Sequence, residues 1–184
     1  MKQAFLGDSY DILKRFWADS LRPIAPLYAH ARFIPLPLRA KYSLMTGISI
    51  LDPAVELPGA DFGILLDPNT GVPLPRESAS PNATISHTPL RYIARAMEEC
   101  APAYLICFDQ SFHRIEGLDK RSQRGKKLDY LRELGYSGFY YVSHAPFLFV
   151  FPNPESLSIV LAQLERTGLP KSRLELSDPQ LVTT

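Results

Sequence analysis

The chain alternates short, continuously apolar runs with longer stretches in which apolar residues recur every three or four positions. Residues 3–6 (QAFL) predict a short buried strand. Residues 11–21 (DILKRFWADSL) predict a helix, because Ile12, Leu13, Phe16, Trp17 and Ala18 share one face; Arg22-Pro23 ends it. Residues 24–47 are mixed, and the prolines of RFIPLPL restrict that stretch to an edge strand or a loop. Residues 62–66 (FGILL) predict a second buried strand, stopped by the turn signal Asp67-Pro68-Asn69-Thr70-Gly71. Residues 72–87 form a polar, proline-rich loop, and residues 89–99 a helix with proline in its first turn. Residues 103–108 (AYLICF) predict a third buried strand, ending at Asp109-Gln110. A basic stretch then runs into a helix at 126–134, with Gly135 as its C-terminal cap. Residues 138–151 (GFYYVSHAPFLFVF) predict two strands joined by a loop or a tight hairpin, and residues 154–167 a last helix.

Strands alternating with helices predict an α/β fold: one domain over residues 1–184, a three-layer α/β/α sandwich with a mainly parallel central sheet. In such sheets ligands bind outside the carboxyl ends of the strands. Those ends carry Asp8, Asp67 and Asp109, with His144 on the fourth apolar segment.

Composition narrows the function classes. With 46% apolar and 21% charged residues, a chain of 184 residues can bury a full core. A net charge of +1 argues against a general polyanion binder and leaves room for a local basic face. Arg114, Lys120, Arg121, Arg124, Lys126 and Lys127 form such a run, with Phe112 and Tyr130 beside it. It is either a solvated face or a track for a phosphate backbone. Cys100 and Cys107 lie seven apart, without metal-ligand spacing, and read as reduced core thiols. No apolar run reaches the ~20 residues of a membrane helix, and Lys2 with its short apolar run does not read as a secretory signal, so a cytoplasmic location is expected. Seventeen prolines imply long, shaped loops.

Three aspartates and a histidine at one sheet edge admit several chemistries. Each Asp has a plain alternative as a helix N-cap or turn residue, and His144 as a core histidine. Together, carboxylates can bind Mg²⁺ for phosphodiester cleavage, or one can act as a base or charge stabiliser opposite a histidine.

The order of the strand-end motifs resembles the uracil-DNA glycosylase superfamily. Gly7-Asp8-Ser9-Tyr10-Asp11 is similar to that family's water-activating Gly-Gln-Asp-Pro-Tyr-His, one residue shorter and with Ser for Pro. Gly63-Ile64-Leu65-Leu66-Asp67 stands where the family has Gly-Val-Leu-Leu-Leu-Asn, and Ser143-His144-Ala145-Pro146 is a loose counterpart of its His-Pro-Ser. The resemblance implies a cofactor-free, monomeric enzyme that extrudes a base from duplex DNA and hydrolyses its N-glycosidic bond. It makes Asp8 and His144 catalytic. Tyr10, Asp67, Asn69 and Asp109 would line the base site, with Phe33 or Tyr28 stacking on the base. Arg76, Ser80, Lys120, Arg121, Arg124 and Lys126 would contact DNA, and Phe147 would be a candidate wedge. Where the family has Asn, Asp67 as a carboxylate only accepts hydrogen bonds, which suits the exocyclic amine of cytosine. The expected substrate is therefore a cytosine-type, modified base, with bacteriophage defence as the role that would follow.

A second resemblance competes. Gly7-Asp8-Ser9-Tyr10-Asp11-Ile12-Leu13-Lys14 is similar to the opening of a ribosomal RNA adenine methyltransferase family, and Asp67-Pro68-Asn69 to the Asp-Pro-Pro-Tyr motif of amino-methyltransferases. No Gly-x-Gly loop follows a strand to cradle S-adenosylmethionine. A Mg²⁺-dependent nuclease using Asp8, Asp67 and Asp109, and a non-catalytic Rossmann-like interaction domain, are the remaining readings.

Overall fold

The computed structural model describes residues 6–75, 82–112 and 118–176. Its elements follow in the order α1 (Ser9–Leu21), β1 (Leu27–His30), α2 (Arg39–Thr46), β2 (Ser49–Leu51), β3 (Gly63–Leu66), α3 (Leu90–Cys100), β4 (Tyr104–Phe108), α4 (Lys120–Glu133), β5 (Ser137–Tyr141), β6 (Phe147–Phe151), α5 (Pro154–Arg166) and β7 (Leu174–Leu176). The seven strands form one sheet in the order β2-β1-β3-β4-β6-β5-β7.

The fold is mixed α/β, and the sheet changes character half-way. The pairs β1–β2, β1–β3 and β3–β4 are parallel, whereas β4–β6, β5–β6 and β5–β7 are antiparallel. The expected mainly parallel sheet therefore holds for the β2–β4 half alone. The reason is connection length. Five residues, 142–146, join β5 to β6, too few for the crossover a parallel pair needs, so they close a hairpin. The β3–β4 connection runs through α3 and permits parallel pairing.

Burial follows strand position. Every residue of β3, β4 and β6 is buried, as the continuous apolar runs predict. Phe139 stacks on Phe149 at 4.5 Å. From α1, Trp17 packs edge-on against Tyr141, Phe147 and Phe149 at 4.9, 6.0 and 5.1 Å. Phe147 and Phe33 are fully enclosed, so neither a wedge nor a base-stacking ring is presented at those positions.

Helix α1 begins two residues earlier than its apolar pattern, because Asp8 caps it. The Asp8 Oδ1 accepts from Tyr10 N at 2.9 Å and Asp11 N at 3.3 Å. Helix α4 begins six residues before the expected 126, capped by Asp119 onto Ser122 N at 2.7 Å. Gly135, at φ 88°, closes its end as expected. The expected strand or loop at RFIPLPL is a pair of 3₁₀ turns, Ala31–Phe33 and Leu36–Leu38. The strand expected at residues 3–6 falls, except for Leu6, outside the described residues. No described helix is long and apolar enough to cross a membrane.

One backbone contact ties the two parallel strand ends together. Gly71, after β3, lies at φ 129°, and a Cβ there would sit 2.7 Å from Gln110 N and overlap Asp109. Substituting Gly71→Ala therefore combines a disfavoured conformation with a backbone clash. The expected loss is about 3 kcal/mol or more of unfolding free energy in a urea titration.

Candidate active site

Two buried lysine–carboxylate pairs underlie the carboxyl edge of the parallel strands. At the end of β3, Asp67 accepts from Lys14 Nζ at 2.7 Å. The same Nζ donates to Asp11 Oδ1 at 2.9 Å, and Asp11 Oδ2 accepts from Gly7 N at 2.7 Å. Burial alone would lower the Lys14 pKa, but the two carboxylates outweigh it and hold it above the usual lysine value. Beside this triad, the fully buried ring of Tyr42 from α2 lies 5.5 Å from Nζ. Burial, then the Asp67 charge, holds its phenol well above the usual range.

At the end of β4, Asp109 accepts four hydrogen bonds. Oδ1 takes Val72 N at 2.8 Å and Ser111 N at 2.9 Å; Oδ2 takes Lys127 Nζ and Tyr140 Oη, both at 2.7 Å. Asp109 and Lys127 are both 0% exposed. With one carboxylate instead of two, burial prevails and the Lys127 pKa lies below its usual value. Neither Asp67 nor Asp109 offers a free carboxylate face to a substrate. Lining the base site is their expected role and Mg²⁺ binding the alternative; in the structure both are buried in ion pairs with Lys14 and Lys127. Among the described residues no three His, Cys, Asp or Glu side chains are grouped as a metal ion requires.

Above these pairs, exposed groups from three segments meet. His144, in the β5–β6 loop, places Nε2 3.2 Å from Ser9 Oγ at the start of α1. Its ring lies 5.8 Å from that of Tyr10, which packs edge-on against Phe108 at 5.4 Å. Gln110 bridges the segments, donating from Nε2 to Tyr10 Oη at 2.8 Å and to the His144 carbonyl at 3.0 Å. Asp8 precedes Ser9 directly, half-buried, with both described bonds on Oδ1. Asn69 is exposed on the loop after β3, and its neighbour Thr70 accepts Gln110 N at 2.8 Å. Asp8, Ser9, Tyr10, Gln110 and His144 thus form one surface, with Asn69 on the adjoining loop. Asp67 lies buried with Lys14 beneath the start of α1.

The basic run divides into exposed and inward-turned side chains. Lys120, Arg121 and Lys126 are exposed on α4. Arg124 turns inward to a two-point pair with Glu175 of β7, at 2.8 Å for each bond, so it is not open to a phosphate backbone. Lys120, Arg124 and Lys127 all lie over the Phe112 ring, at 5.8, 5.6 and 4.6 Å. Arg76, Ser80 and Arg114 lie outside the described residues.

A second feature of the carboxyl edge carried no sequence signal beyond a histidine between short apolar runs. A cavity of about 450 Å³ opens at the ends of β1 and β2, lined by His30, Arg32, Arg39, Asp52, Tyr92 and Arg95 among others. The His30 Nδ1 accepts from Arg32 N at 3.2 Å, which places the neutral imidazole's proton on Nε2, 3.0 Å from Tyr92 Oη. Burial, helped by Arg32 and opposed by Asp52, pushes the His30 pKa down to about 4.

Compared with models of known families, with curated proteins and with solved structures, the chain matches none.

Replacing Lys127 by Met leaves the Asp109 charge buried without a cation, and a loss of about 3–5 kcal/mol is expected in chemical denaturation. The His30 sign is the reverse of a salt-bridged histidine. An unfolded histidine binds its proton near pH 6.5 and the folded one near 4. The stability linked to this residue is therefore intact above pH 6.5 and falls away towards pH 4, by up to about 3 kcal/mol. A His30→Gln variant should show a flatter stability profile across that window than the parent chain.

Proposed function

We propose that the chain is a hydrolase that cleaves the N-glycosidic bond of a flipped, cytosine-type modified base in DNA. The observation that carries this reading is the meeting of the exposed His144 imidazole with the amino-terminal turn of α1, 3.2 Å from Ser9 Oγ and one residue from Asp8. Cleavage of a base–sugar bond leaves positive charge on the sugar and negative charge on the base. Asp8 faces the first, with Oδ2 left to orient a water because Oδ1 takes both backbone bonds. His144 and the positive end of α1 face the second. Tyr10 walls the site against Phe108.

The base-reading role that the sequence assigns to Asp67 passes in this proposal to Asn69 and Gln110. Gln110 spends Nε2 on Tyr10 and the His144 carbonyl, so its Oε1 can accept from an exocyclic amine. Lys120, Arg121 and Lys126 follow the phosphate backbone of a duplex. The proposal keeps the three-layer sandwich: β1→β2 and β3→β4 step in opposite directions, and right-handed crossovers would carry α2 and α3 to opposite faces. A monomeric, cytoplasmic enzyme that works without a cofactor completes the proposal; bacteriophage defence is the role a modified-cytosine substrate would suggest.

The test uses purified protein and duplexes containing uracil, cytosine, hydroxymethylated cytosine or glucosylated cytosine, with abasic sites revealed as alkali-labile breaks on a gel. Breaks are expected on a cytosine-type duplex, reduced about 100-fold or more by Asp8→Asn and by His144→Ala. The Asn variant keeps an N-capping side chain, so its loss reports charge and not unfolding. Absence of breaks on every cytosine-type duplex overturns the proposal.

A further inference from the structure

We propose that the cavity at the ends of β1 and β2 binds a small phosphate monoester that also carries hydroxyl groups, such as a sugar phosphate or a nucleoside monophosphate. This site is separate from the His144 surface. Its lining residues come from β1 and the turn after it, from α2, from the segment after β2 and from α3, and none belongs to the Asp8–His144 group. It opens at the carboxyl ends of β1 and β2, the edge at which open α/β sheets hold their ligands. The volume of about 450 Å³ lies within the range of small-molecule sites and exceeds what a lone phosphate would fill.

The chemistry of the walls selects the ligand. Arg32 and Arg95 both lie against the ring of Tyr92, with guanidinium carbons 5.7 and 5.2 Å from its centroid. Arg32 is held further by Nε and one terminal nitrogen on the Ala83 carbonyl, at 3.1 and 2.6 Å, and among the described residues its other terminal nitrogen takes no acceptor. Arg39 is fixed by Nε on the Ile34 carbonyl and a terminal nitrogen on the Ala31 carbonyl, both at 3.2 Å. Guanidinium groups positioned in advance lose little freedom on binding, and their planar forks match phosphate oxygens. Tyr92 contributes a further donor. Its hydroxyl receives the His30 Nε2 proton, so its own proton remains to be given.

The other polar groups are acceptors. Asp52 uses Oδ1 on Ala54 N at 3.3 Å, and Glu99 lies 3.8 Å from Arg95 Nε. Carboxylates beside arginines accept sugar hydroxyls while opposing ligands of higher negative charge. The ring of Tyr92 is engaged by two cations, so the recognition is of a phosphate and its hydroxyl-bearing carrier and does not rely on base stacking.

Calorimetric titration of the full chain with ribose 5-phosphate, adenosine 5′-monophosphate, inorganic phosphate and adenosine tests the proposal and separates the two ligand sources. Saturable binding of at least one monoester is expected, with inorganic phosphate at least about tenfold weaker and adenosine silent. Arg95 is half-exposed on α3, so Arg95→Ala should fold normally by circular dichroism and weaken the monoester about tenfold or more, whereas Glu99→Gln, which removes a hydroxyl acceptor together with an opposing charge, should narrow the preference for the monoester over inorganic phosphate. Binding of His144→Ala should equal that of the parent chain. Silence of both monoesters at millimolar concentration, or monoester binding unaffected by Arg95→Ala, overturns the proposal. Neither result bears on the abasic-site assay, which depends on Asp8 and His144.

Discussion

The buried pair of Asp109 and Lys127 constrains more of this structure than any other contact. Four donors from four parts of the chain end on one carboxylate: Val72 after β3, Ser111 after β4, Lys127 in α4 and Tyr140 in β5. A charge taken out of water is costly unless it is fully bonded, and here every lone-pair direction has a partner. The arrangement works only if β3, β4, α4 and β5 occupy their places together. It joins the parallel half of the sheet to the antiparallel half at the strand where the two meet. Gly71 serves the same junction by bringing the β3 loop close enough for Val72 N to reach the carboxylate.

The Lys14–Asp67–Asp11 triad repeats the device one strand away and draws α1 over the end of β3. With both strand-end aspartates neutralised from below, the polar groups left at the surface come from loops and the helix start: Asp8, Ser9, Tyr10, Asn69, Gln110 and His144. The two lysines differ in a way that follows from counting charges. Two carboxylates hold Lys14 above its usual pKa, and one leaves Lys127 below it. The scaffold is thus built from charge pairs, and the chemistry proposed for the edge rests on groups that these pairs orient.

Much of the central fold was legible because burial on both faces writes a continuous apolar run. FGILL, AYLICF and FLFVF mark β3, β4 and β6, and the proline-led helices α3 and α5 were readable within two residues. Strands β1, β2 and β7 were not, since LYAH, SIL and LEL are too short for either period to register. The expectation of a mainly parallel sheet holds from β2 to β4 and stops there, because pairing direction depends on connection length more than on strand composition. At the site, the gathering of Asp8, Tyr10 and His144 at one edge was visible in the motif order. The withdrawal of Asp67 and Asp109 was not. It depends on Lys14, three residues after Asp11, and on Lys127, seven residues after Lys120, turning inward from helices, where sequence alone reads lysines as solvated. Phe33 and Phe147 read in the sequence as candidate stacking and wedge residues, and the core buries both.

The two cysteines bracket the turn between α3 and β4 at different depths. Cys107 is sealed in the middle of the sheet, with burial first and the Asp109 charge next holding its thiol far from ionisation. Cys100 is buried at the cavity wall, where burial first and the Glu99 charge next raise its thiol pKa. An alkylating reagent would meet one thiol through local loosening of α3 and the other only when the sheet itself comes apart. The chain therefore carries two natural reporters, one for breathing at the cavity wall and one for global opening.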